Sequence, residues 1–198
     1  MISEIKLRSP VSPQEHLWGL ESAPMILVEY GDYECPFSRQ AVEIVKRLQQ
    51  SLQSDFVFAF RNFPLMQIHP NATNAAKAVE AAALQGKFWP LHDLFFANQQ
   101  NLSMDRILAL AKSININVSQ FEKDMTSKEI DRRILENFYS GARSGVNGTP
   151  TFFINGFRYD GVLSFGALLN ALQSTQQDPR AVTPPKFGQR STSSSVRN

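Results

Sequence analysis

The chain contains one cysteine, and it lies in the run Gly31-Asp32-Tyr33-Glu34-Cys35-Pro36-Phe37-Ser38. A thiol is nucleophilic only as the thiolate, and a helix N-terminus, with unpaired N–H groups and about half a positive charge, favours that form. Asp32 and Glu34 act in the opposite sense by like-charge repulsion if they lie nearby. Three residues on, Ser38 shares the first turn with Cys35. Its hydroxyl has no sulfur with which to resolve a mixed disulfide. Ser38 is read either as a hydrogen-bond donor to the thiolate or as a solvent-facing residue. The competing reading of Cys35 is a small buried hydrophobe, the usual fate of a lone cysteine. A second candidate element is Thr149-Pro150, where proline must stand at the beginning or edge of a strand because it lacks a ladder donor.

These residues need elements to position them, and the apolar periodicity supplies candidates. Residues 25–30 read as a buried strand. After Gly31 the pattern changes to a helical stripe of Phe37, Ala41, Ile44, Val45, Leu48 and Leu52, with Pro36 just inside the helix start. Residues 56–60 form a second strand, and the strand–helix–strand order implies a right-handed parallel crossover. From about Asn71 to Arg143 the pattern is helical. Ser103 is a candidate cap, and Ser119 with Glu122 and Thr126 with Glu129 are candidate capping boxes. The sheet resumes with residues 151–154 and 157–159 around Asn155-Gly156, a strong hairpin signal. A last helix runs from Ser164 to Gln173. Residues 178–198 are rich in serine and poor in core-forming residues and are expected to be a disordered tail behind a single domain over 1–177.

Taken with Arg61-Asn62-Phe63-Pro64-Leu65 and Gly148-Thr149-Pro150-Thr151-Phe152-Phe153-Ile154-Asn155-Gly156, the cysteine run resembles the DsbA-like branch of the thioredoxin-fold thiol oxidoreductases over roughly residues 12–174. The resemblance implies an α/β thioredoxin fold with a large helical insertion, here about 71–143. It also implies that Cys35 is the nucleophile, that Pro36 and Phe37 tune it, and that Thr149-Pro150 is a cis-proline loop facing the thiol. On this basis Cys35 is expected to be partly exposed at the start of its helix, within reach of Pro150. Ser38 stands where the family has its resolving cysteine, so an intramolecular dithiol cycle is excluded for this chain alone. What remains is monothiol exchange: Cys35 attacks a disulfide and is released by glutathione or another protein's thiol. Protein or glutathione thiols and disulfides are then the expected partners, with glutathione a candidate co-substrate and no other cofactor. A glutathione-dependent transferase or isomerase and a non-catalytic binding module are the alternatives.

Composition narrows the rest. The net charge is +2, but the segment 178–198 carries +3, which leaves −1 over residues 1–177 and no basic surface for nucleic acid. A single cysteine excludes an internal disulfide and a Cys-based zinc site, and His16, His69 and His92 show no metal-ligand spacing. His69 is a candidate base should it lie near Cys35. No apolar run approaches the roughly 20 residues of a membrane span, and the polar start lacks the apolar core of a secretory signal, so a cytosolic location without membrane contact is expected. Without export, the Asn-x-Ser/Thr triplets at Asn71, Asn101, Asn117 and Asn147 are chance matches.

Overall fold

The computed structural model describes residues 1–176. The expected tail, 178–198, lies outside the described residues. Strand β1 spans Ile2–Lys6, β2 Leu17–Gly19 and β3 Met25–Gly31, followed by helix α1, Pro36–Leu52. A 3-10 turn leads into β4, Phe56–Asn62. The helical insertion is α2 (Ala72–Ala83), α3 (Phe88–Ala97), α4 (Met104–Ser113), α5 (Val118–Met125) and α6 (Lys128–Arg143). The hairpin β5 (Thr151–Ile154) and β6 (Phe157–Tyr159) and helix α7 (Phe165–Thr175) complete the order.

Six strands form one sheet in the order β1-β6-β5-β3-β4-β2. β3 and β4 pair in parallel across the α1 crossover, whereas β5 runs antiparallel to β3. Period-two alternation divides the central strands between two cores. Leu27, Phe58, Phe60, Phe152 and Ile154 join α1, α7 and the insertion on one side. Ile26, Val28, Tyr30, Val57, Ala59 and Phe153 pack on the other with Phe63 and Phe138. Glu29 follows the first set, and it is a carboxyl at a position where the alternation calls for an apolar side chain. It is 1% exposed, and burial pushes its pKa up to about 8.

Strands β1 and β2 have no counterpart in the sequence reading. Each is short, sits at a sheet edge and faces solvent over much of its length, so neither shows a clean alternation. The two capping boxes are also corrected. Asn117 caps α5 by accepting from Gln120 N, and Ser127 caps α6 by accepting from Ile130 N. The Thr126 hydroxyl donates instead to the Lys123 carbonyl at the end of α5. Ser103 stands at the N-cap of α4 without a side-chain cap bond. Asn155 and Gly156 both have positive φ, 47° and 85°, as a tight hairpin of this type requires.

Candidate active site

Strand β3 ends at Gly31, where the backbone passes close under the Phe60 ring. A Cβ at Gly31 would stand 2.4 Å from the Phe60 ring. The chain then turns through Asp32–Glu34 and enters α1 with Cys35 at the N-cap and Pro36 at the first helical position. Proline suits that position because its missing N–H has no intrahelical partner to lose. Across from the thiol the chain enters β5 through Thr149–Pro150, a cis peptide bond. The Cys35 Sγ donates to the Thr149 carbonyl oxygen at 3.1 Å. The strand-end, helix-start and loop residues singled out in the sequence therefore meet in space.

The thiol is more enclosed than expected. Cys35 is 4% exposed, while its neighbour Phe37 is 61% exposed. The sulfur meets the Thr149 carbonyl, and the side-chain amide of Gln99 holds the backbone around it by donating to the carbonyls of Tyr33 and Cys35 at 2.9 and 2.8 Å. Ser38 is neither solvent-facing nor bonded to the thiol among the described residues. It is fully buried, and its hydroxyl accepts from Asp32 N at 3.3 Å. Beside the thiol a shallow groove of about 280 Å³ is lined by Phe37, Thr149, Pro150, Arg158 and Leu163 among others. The Thr149 hydroxyl oxygen is buried and has no hydrogen-bond partner among the described residues.

Asp32 and Glu34, read in the sequence as charges near the thiol, hold the loop in shape. The Asp32 carboxylate is buried and accepts from Glu34 N at 2.8 Å, Leu65 N at 2.7 Å and the His69 ring at 2.8 Å. Glu34 accepts from the main-chain and side-chain nitrogens of Asn71, 2.6 and 3.0 Å away, where α2 begins. A carboxylate at a helix N-terminus is favourably placed against the helix dipole. His69 thus belongs to the site through Asp32. Asn71, the first residue of a glycosylation-like triplet, is occupied at a helix cap. Gln99 was invisible to the sequence reading, since a glutamine in a loop gives no local sign of its distant carbonyl partners. No group of three or more His, Cys, Asp or Glu among the described residues is arranged to hold a metal ion.

A thiol at a helix N-cap beneath a cis-proline loop, with strand–helix–strand on one side and a hairpin on the other, narrows the choice of families. Residues 11–174 match the thioredoxin family. The chain belongs to the thioredoxin family. Within it the fold is DsbA-like. The thioredoxin-fold chain aligns with the thiol-disulfide exchange protein alpha-DsbA2 from Wolbachia pipientis over 82% of its own length and 87% of that protein, with TM-score 0.73 and 21% identity. It aligns with Pseudomonas aeruginosa DsbA2 over 85% and 98% of the two chains, with TM-score 0.68 and 26% identity. A curated relative, the Na(+)/H(+) antiporter NhaA 1 of Mycolicibacterium vanbaalenii, is 36% identical over 173 residues. That match takes in 86% of this chain and 28% of the relative, so the chain spans little more than a quarter of that protein. Among the described residues no helix is long and apolar enough to cross a membrane.

Proposed function

We propose that this thioredoxin-family chain is a monothiol thiol-disulfide oxidoreductase with Cys35 as its nucleophile. The observation that carries the reading is the juxtaposition of the Cys35 Sγ, at the N-cap of α1, with the Thr149 carbonyl of the Pro150 loop, beside an open groove. An extended disulfide-bearing partner fits that groove with Phe37 as its apolar wall. The Cys35 thiolate attacks one sulfur of the partner disulfide and forms a new S–S bond, and the other sulfur leaves as a thiolate that takes up a proton. An external thiol then attacks the mixed disulfide and releases Cys35. Glutathione is the co-substrate that best suits this last step in a cytosolic setting. Ser38, Pro36 and Thr149 serve as positioning residues around the sulfur.

The deciding experiment is intact mass after treatment with oxidised glutathione, followed by reduced glutathione. One adduct should form on the parent, none on Cys35→Ser, and the adduct should be lost with the second reagent. A parent that takes up no adduct would overturn the reading. A second reading, a binding module, is favoured by Ser38 standing in the resolving position. Its partner class would be a membrane cation antiporter, because the match lies within proteins bearing that name. Partner capture that survives Cys35→Ser would favour it.

A further inference from the structure

The helical insertion reaches the thiol loop at two points. The first is Tyr33, two residues before Cys35. Its buried ring packs on Phe95 and Phe96 of α3, with centroids 5.5 and 4.9 Å away, and its hydroxyl pairs with His92 Nδ1 at 3.0 Å. The second is Gln99, in the turn that follows α3. Asn98 braces that turn, since its Nδ2 donates to the Leu94 carbonyl at 2.8 Å and its Oδ1 accepts from Arg106 of α4. Gln99 is thereby carried to the thiol loop, where a single nitrogen, Nε2, serves the carbonyls of both Tyr33 and Cys35. A primary amide has two N–H donors, and both are used here.

What that nitrogen does for the sulfur follows from the groups around it. Pro36 removes the N–H of the first helical position, and the Cys35 side chain accepts no cap hydrogen bond from the helix start. Its polar contact is the Thr149 carbonyl, to which only the protonated thiol can donate. Ionisation therefore sets a thiolate against the negative end of a peptide dipole. The carbonyls of Tyr33 and Cys35 add two more such oxygens within the same short turn. The Cys35 oxygen accepts the first helical bond from Arg39 N at 3.1 Å, and Gln99 gives it a further donor while also covering the Tyr33 oxygen. We propose that Gln99 is a positioning residue for disulfide exchange at Cys35: its amide fixes these two carbonyls and offsets their negative ends, so that the thiolate forms more readily. The inference rests on Cys35 being the nucleophile, and it makes the helical insertion part of the active site.

Cys35 is the chain's only cysteine, so its alkylation by iodoacetamide, followed across pH, reads thiolate formation at this one position. Gln99→Met keeps the length of the side chain and removes both donors. Its rate should fall about three- to tenfold below the parent's on the acid side of the parent's midpoint, and should meet or pass it at the alkaline plateau, where both thiols are ionised. Gln99→Lys, which restores donors at the same reach, should react at least as fast as the parent. The other ionisable groups around the loop and groove, Asp32 with His69, Glu34 and Arg158, are common to all these chains, so their charges cancel in the comparison. A Gln99→Met profile superimposed on the parent's would overturn the assignment. So would a deficit of equal size at every pH, the mark of a purely structural role, or a Gln99→Lys profile as depressed as that of Gln99→Met. Should Gln99→Met not fold, Gln99→Ala takes its place in the series. Failure of the Cys35 reading is seen separately, because the parent itself would then take up no glutathione adduct.

Discussion

The hydroxyl of Ser38 accepts the main-chain N–H of Asp32 at 3.3 Å and is wholly enclosed, on the turn of α1 that follows Cys35. Position 38 is thus directed inward, toward the loop that carries the thiol. Disulfides need Cα separations of about 4.4–6.8 Å, which residues i and i+3 of a helical turn provide. Ser38→Cys should therefore form an internal disulfide with Cys35 and gain dithiol activity in insulin reduction with dithiothreitol. The parent should stop at the mixed disulfide unless an external thiol is added. Mass spectrometry of the oxidised variant and the reduction rate check the two steps. A variant that forms the bond but gains no turnover would move the binding module ahead.

Asp32 ties the thiol loop to the loop after β4 by two hydrogen bonds, from Leu65 N and the His69 ring, and braces its own turn by a third, from Glu34 N. Asp32→Ala should lower stability by about 2–4 kcal/mol, since it leaves two main-chain N–H groups without their acceptor. It should also slow glutathione adduct formation, because the loop that holds Cys35 loses its anchor. Chemical denaturation and adduct kinetics together measure this. An unaltered adduct rate in a destabilised variant would confine Asp32 to a folding role.

Gly141 lies within α6, where alanine would ordinarily add about 1 kcal/mol. Here a Cβ would stand 2.8 Å from the Phe63 ring and 2.9 Å from the Tyr30 ring, both in the core. Overpacking costs about 1–3 kcal/mol, so the sign reverses. Gly141→Ala should lower the melting temperature by several degrees, read by calorimetry.

Glu29 and His92 give stability a specific pH profile. Glu29 keeps its proton in the folded chain to about pH 8 against 4.5 for the free side chain, so the unfolded chain holds fewer protons in that window and stability falls as pH rises through it. His92 is the reverse: its folded pKa is about 3 against 6.5, so stability is lost as pH falls from 6.5 towards 3. Between 4.5 and 6.5 the two slopes oppose each other, and the maximum should lie there. Each group contributes on the order of a few kcal/mol. Glu29→Gln should remove the decline above pH 6.5 in denaturation curves taken across the range. A decline of undiminished slope in that variant would assign it to other groups.

Local signals carried the main elements. The helical stripe from Phe37 to Leu52 and the apolar runs of β3, β4 and β5 were legible because burial imposes a period of 3.6 or 2 on neighbouring residues. The Asn155-Gly156 turn was legible because positive φ selects those residue types. By itself the sequence determined that a single thiol would stand at a strand-to-helix turn and that no second thiol of this chain could resolve it. The tertiary structure alone decided what surrounds that thiol. Glu29 reads as one more residue of a buried strand until the sheet places it in a cavity with Lys46, His92 and Asp93. Asp32 reads as a charge near the thiol until Leu65 and His69 arrive from another loop. Gln99 lies 64 residues from the carbonyl of Cys35 that it holds. Hydrogen bonds and enclosure of this kind are set by distance in space, and residue spacing along the chain encodes only contacts within a turn or a strand pair.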